Sequence, residues 1–115
     1  MRLVIAIIQP PRLQAVRDAL ERIGVERLTV CDAQGFGRQR GQTATYRGLE
    51  SKTNLLRKVM LEIVVNEDFL ERTIETIESV ARTGPEGSIG DGKVFVLPVH
   101  QVYRIGTTTT GPEAV

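Results

Sequence analysis

Lys58-Val59-Met60-Leu61-Glu62-Ile63-Val64-Val65-Asn66-Glu67-Asp68 is the stretch that decides the architecture. Successive side chains of a strand point to opposite faces, so Val59, Leu61, Ile63 and Val65 share one face and Lys58, Met60, Glu62 and Val64 the other. Asn66 is suited to cap a following helix, and Glu67 with Asp68 favours its positive end. Leu70, Ile74, Ile77 and Ala81 then recur at helical spacing to about residue 81. A strand feeds directly into an amphipathic helix.

The same unit occurs once before. Residues 2–8 are rich in β-branched side chains and read as a strand buried on both faces. Pro10 and Pro11 end it and open a helix, because proline is tolerated where the amide has no intrahelical partner. Over about residues 12–23, Leu13, Val16, Leu20 and Ile23 form the inner stripe, and Gly24 breaks the helix. Leu28-Thr29-Val30-Cys31 reads as a second strand continuing toward Gly35.

Residues 36–57 hold no sustained apolar period, and so long a connection is expected to be a projecting arm that touches a ligand or partner. Residues 93–97 form a fourth strand, for which Pro98 argues an edge position or an irregular continuation, and 102–105 read as a short fifth. The order βαβ, arm, βαβ predicts an α+β fold, a ferredoxin-like split βαβ domain with two helices on one sheet face. Residues 1–108 make up this domain with its arm, and 109–115 a polar C-terminal tail. The other sheet face needs cover, so self-association is expected.

A length of 115 residues leaves room for one modest core, and a formal charge of +1 excludes a broad basic field for nucleic acid. Any anionic ligand must be gripped locally. Cys31 is the only cysteine and His100 the only histidine, which supplies neither a disulfide framework, nor a metal cluster, nor a catalytic constellation. That composition fits a cytoplasmic protein without catalytic or metal-ligating residues. The apolar run Leu3–Ile8 is too brief to cross a bilayer and lacks a signal-peptide cleavage pattern, so no direct membrane insertion is expected.

Two glycine clusters carry the chemistry. Thr83-Gly84-Pro85-Glu86-Gly87-Ser88-Ile89-Gly90-Asp91-Gly92-Lys93 joins flexible backbone to a lysine, an outline in which successive amides cradle an anion and Lys93 adds a point charge. Asp91 is expected to orient the loop rather than meet the anion. Gly35-Phe36-Gly37-Arg38-Gln39-Arg40-Gly41 follows a strand and opens the arm. Together they suggest a nucleotide sensor rather than an enzyme.

The chain resembles the PII signal-transduction proteins. The likeness runs from residue 2 to about 108 and is carried by Ile7-Ile8-Gln9-Pro10, the Gly35–Gly41 cluster, Tyr46-Arg47-Gly48, Glu62–Val65, Ala81–Gly84 and Ile89–Lys93. It implies a homotrimer whose subunit clefts bind adenine nucleotides and whose residues 36–57 control a regulated enzyme or a membrane transporter. By this resemblance Gly35, Gly37, Arg38 and Gln39 begin the arm near the phosphates, and Gly90, Asp91, Gly92 and Lys93 form the second phosphate loop. Thr29 and Val64 would line the adenine pocket, and Arg104 would reach a phosphate across the subunit boundary. ATP would bring Mg²⁺ close to Gln39, and that metal would help hold 2-oxoglutarate, which Lys58 also approaches.

Several positions depart from the family pattern. Gln9 stands where the family usually has lysine, the second phosphate loop is expanded and lacks an early lysine, and Gly106 replaces an arginine after Arg104. Ser51 takes the place of a modified tyrosine and Leu49 that of a modified serine, so modification of Ser51 or Tyr46 is not implied. These changes favour ADP or AMP at least as much as ATP, and they point to bicarbonate and to a branch linked to inorganic-carbon metabolism. The alternatives are an ATP- and 2-oxoglutarate-responsive nitrogen regulator and a nucleotide-independent structural trimer.

Overall fold

The computed structural model describes residues 1–37, 45–46, 49–50 and 54–115. In chain order these form β1 (Arg2–Ile8), α1 (Leu13–Arg22), β2 (Thr29–Gly37), the short strands β3 (Thr45–Tyr46) and β4 (Leu49–Glu50), β5 (Asn54–Val65), α2 (Glu67–Ala81) and β6 (Gly92–Pro98). Four strands make one sheet in the order β2-β5-β1-β6, with every neighbouring pair antiparallel. β1 and β2 are therefore parallel with β5 between them, and β5 and β6 are parallel with β1 between them. This is the split βαβ arrangement that the repeated strand-helix unit predicts.

Alternation builds the core. Val4, Ala6 and Ile8 of β1 and Val59, Leu61, Ile63 and Val65 of β5 are buried beneath the helices, together with Val16 and Leu20 of α1 and Ile77 and Ala81 of α2. β1 is not buried on both faces as expected: Leu3, Ile5 and Ile7 stay half-exposed, because both helices cover the same side. In α2 the expected stripe packs inward through Leu70, Ile77 and Ala81, and it is joined by Thr73, which the stripe did not include and which is fully buried. Its hydroxyl donates to the Phe69 carbonyl at 2.7 Å, which lets a polar side chain sit in the core without loss.

Boundaries shift for local reasons. Pro10–Arg12 form a 3-10 turn with Gln9 still extended, so α1 starts at Leu13. β2 begins at Thr29 rather than Leu28 and runs through Gly37, paired with β5 as far as Asn54. Both ends of the 36–57 segment therefore belong to strands, and within it Thr45 pairs with Glu50 and Tyr46 with Leu49. Pro98 ends an edge strand, as expected. No fifth strand forms over 102–105; Tyr103 makes one isolated bridge to Thr110, and residues 111–114 fold into a 3-10 turn rather than trailing as a tail.

Candidate functional site

Register brings the predicted residues onto one surface. Directly paired residues of a sheet share a face, so Thr29, Cys31, Ala33 and Gly35 of β2 lie beside Glu62, Met60, Lys58 and Leu56 of β5. Val64 faces Leu3 across the β5–β1 pair, and Lys93, Phe95 and Leu97 of β6 face Ile7, Ile5 and Leu3. Thr29, Gly35, Lys58, Val64 and Lys93 thus occupy the sheet face that the helices leave open. Phe95 and Leu97 on that face are 48% and 42% exposed.

At one end of this face lies a cleft of about 550 Å³, within the usual size range of small-molecule sites. Gly35, Lys58, Gly90, Gly92 and Lys93 line it, joined by Ile7, Phe36, Leu56, Ile89 and Phe95, which the sequence reading did not single out. The signal for two of these was present: Phe36 stands between glycines, and Ile89 is the one large apolar residue of a polar loop. Phe36 is 77% exposed. A Cβ on Gly35 would meet only Lys58 Cγ at 3.7 Å, an ordinary contact, so packing within the protomer does not account for glycine there. A bare strand position of this kind suits the close approach of a ligand.

The loop before β6 is organised by Asp91. Ile8 pairs with Val59 on one side and with Gly92 on the other, so one step further Gln9 falls between Lys58 and Asp91. Asp91 accepts from the Thr83 amide at 3.0 Å, the Thr83 hydroxyl at 2.6 Å and the Ser88 amide at 2.8 Å, which closes the loop on itself. Desolvation is the largest single influence on this carboxyl and pushes its pKa upward. The Thr83 and Ser88 hydrogen bonds and the charge of Arg12 together outweigh it and hold the pKa below the usual 3.8. Gln9 Nε2 donates to the Gly90 carbonyl at 3.2 Å and to Asp91 Oδ1 at 3.4 Å, and Lys58 Nζ donates to the same carbonyl at 2.7 Å. The expectation that Asp91 orients the loop is met.

The two glycines that flank Asp91 have conformational reasons to be glycine. Gly90 has φ 99° and Gly92 φ 124°. A Cβ on Gly92 would lie 1.8 Å from the Ile7 carbonyl oxygen, so only glycine lets β6 come this close to β1.

Other expected residues lie elsewhere. Val64 sits six positions beyond Lys58 on β5, about 20 Å away, and lines a second cleft with Arg104. Arg104 Nε and Nη2 lie 3.4 Å from the Ala114 and Glu113 carbonyl oxygens. Thr29 is exposed near the same end of the open face. Gly37 closes β2, whereas Arg38, Gln39 and Ser51 lie outside the described residues. Lys58 pairs with the Gly90 carbonyl, and no Lys58–Glu62 ion pair forms among the described residues. Asn66 caps α2 only by position: its side chain makes no cap bond and instead donates to the Pro112 carbonyl at 3.2 Å.

The structure is a split βαβ domain with a glycine-walled, lysine-bearing cleft at one end of its open face, a chemistry suited to a small anion. The chain belongs to the P-II family: the model of the family described as nitrogen regulatory protein P-II matches residues 1–109. It is 50% identical to the nitrogen regulatory protein GlnK1 of Methanosarcina mazei over 115 residues, covering all of this chain and 97% of that protein. It is 45% identical, over the full length of both chains, to the nitrogen regulatory protein P-II of Azospirillum brasilense and to that of Mesorhizobium japonicum. These relatives favour the nitrogen-regulator alternative over the reading centred on bicarbonate and carbon metabolism, which is corrected accordingly. The protein is a regulator rather than an enzyme. No helix among the described residues is long and apolar enough to cross a membrane.

Proposed function

We propose that this protein is an adenine-nucleotide-responsive nitrogen regulator that reports ATP with 2-oxoglutarate, or ADP, to a partner enzyme or transporter through residues 36–57. The observation that carries the reading is the convergence of Gly35, Lys58, the Gly90–Gly92 turn and Lys93 on one cleft. Their chemistry fits a polyphosphate. Lys93 supplies a mobile point charge, and the loop that Asp91 closes holds its backbone in place without a conformational search. Asp91 is already engaged by Thr83 and Ser88, so magnesium arriving with ATP would be held by the phosphates and Gln39 rather than by this carboxylate. The ion would supply positive charge beside the phosphates.

Lys58 couples the two ligands. Its ammonium rests on a neutral carbonyl, and a carboxylate of 2-oxoglutarate is a stronger, charge-assisted partner. Moving Lys58 from Gly90 to the effector would leave Gln9 as the donor to that carbonyl, so the loop keeps one tie in both states. Gln9 is neutral, so Lys58 is the one cation on the Gly90 carbonyl, which predicts weak effector binding. The apolar open face, with Ile5, Ile7, Met60, Phe95 and Leu97, supports assembly as a homotrimer with the sheets turned inward.

Calorimetric titration of ADP, AMP and ATP-Mg²⁺, each with and without 2-oxoglutarate or bicarbonate, tests the reading. Enhancement of ATP-Mg²⁺ binding by 2-oxoglutarate alone supports it. Enhancement by bicarbonate alone would restore the carbon-linked alternative, and absence of adenylate binding would leave only a structural trimer.

A further inference from the structure

Beside the Val64 end of the sheet, Val115 and Arg104 line one cleft with Val64. After Val102 the backbone doubles back: the Arg104 amide donates to the Thr109 carbonyl at 3.2 Å, Tyr103 bridges Thr110, and the Gly111 amide donates to the Val102 carbonyl at 2.8 Å. The turn Gly111–Ala114 then buries Ala114, which is only 7% exposed. Two distant side chains pin it. Asn66 donates to the Pro112 carbonyl and Arg27 Nη1 to the Val115 carbonyl, each at 3.2 Å. An asparagine at a helix N-cap ordinarily accepts from the helix's own amides through Oδ1; here the side chain makes no cap bond and its Nδ2 donates to the turn instead.

Arg104 is held by the same turn. Both of its acceptors are neutral carbonyls at 3.4 Å, a distance at the long limit for a hydrogen bond. A phosphate oxygen offers the guanidinium shorter, charge-assisted and bidentate bonds. The turn engages the Nε and Nη2 edge of the guanidinium, so a phosphate that takes this edge displaces the two carbonyls.

We propose that residues 111–114 form an intramolecular latch that holds Arg104 off the nucleotide, so that adenylate binding and release of the turn are coupled. The proposal rests on the adenylate reading given above. In the latched form Val115 joins Val64, Phe69 and Arg104 in lining a cleft of about 370 Å³. Apparent affinity is the intrinsic affinity multiplied by the fraction of molecules already unlatched, so weakening the latch tightens binding.

Calorimetry with ADP on the full chain, on a chain ending at Thr110, and on Ala114→Lys, which places a charge at a buried position, tests this. Both variants are expected to lower the Kd for ADP by about threefold to tenfold. In the full chain, ADP is expected to speed hydrogen exchange at the Gly111 amide. Equal or weaker ADP binding by both variants, or an exchange rate at Gly111 that ADP leaves unchanged, would overturn the latch while the adenylate reading stands. Absence of ADP binding by all three proteins would remove that reading and the latch with it.

Discussion

Lys58 Nζ donates to the Gly90 carbonyl oxygen at 2.7 Å, tying a central strand of the sheet to the loop that precedes β6. The same carbonyl takes a second donor from Gln9 at 3.2 Å. A ligand that attracts the ammonium of Lys58 would therefore act on the loop at the same time.

Gln9→Lys restores a second cation beside Lys58. It is expected to tighten 2-oxoglutarate binding in the presence of ATP-Mg²⁺ by about tenfold, the size of one charge-assisted hydrogen bond in a partly desolvated site. Lys58→Met is expected to abolish the effector's influence on ATP binding. Calorimetry reads both, and an unchanged response in Lys58→Met would remove the role of this side chain.

Gly92→Ala places a methyl group 1.8 Å from the Ile7 carbonyl oxygen at a residue with φ 124°. β6 must then withdraw from β1 or the backbone must flip. A loss of about 3 kcal/mol or more is expected, in the range of substitutions that combine overpacking with a disallowed backbone conformation. Urea denaturation measures it, and a midpoint close to that of the wild type would show that β6 is not held as described.

Asp91 makes folding pH-dependent. Its folded-state pKa lies below the usual 3.8, so its stabilising contribution is complete above that value and is lost as pH falls through the lower folded value. Thermal melts of wild type and Asp91→Asn are expected to converge as pH drops below 3.8. A gap that stays constant from neutral pH to pH 3 would mean that the carboxylate form contributes nothing special.

The repeated strand-helix unit made the sheet and both helices legible, because Val59, Leu61, Ile63 and Val65 alternate without a break and the helical stripes follow at once. Local chemistry and resemblance single out Gly90, Gly92, Lys58 and Lys93 as candidates, and the fold brings these four to one cleft. Gln9 as a tie to the loop was not legible, since seeing it requires the register of β1 against both β5 and β6. Thr73 escaped notice because a threonine satisfied by its own helix is indistinguishable in sequence from an exposed one. The fold-back of residues 103–114 was read as a short strand and a tail, because its bonds run to Asn66 and Arg27, far away in the chain.

Ile5 lies in the middle of the open face, paired with Glu62 on one side and Phe95 on the other. Ile5→Arg is expected to convert the proposed trimer into monomers, because burying an unpaired guanidinium at an apolar interface costs several kcal/mol. Light scattering coupled to gel filtration checks this, and a variant that keeps the mass of the wild type would place the interface elsewhere.

The most direct test of the phosphate-binding cleft is a calorimetric comparison of ADP binding to the wild type and to Lys93→Ala. Micromolar binding by the wild type and a Kd raised by about tenfold or more in the variant, equivalent to about 1.4 kcal/mol, is the predicted result. Equal affinity in the two proteins, or no binding by the wild type, would contradict the assignment of this cleft to the phosphates.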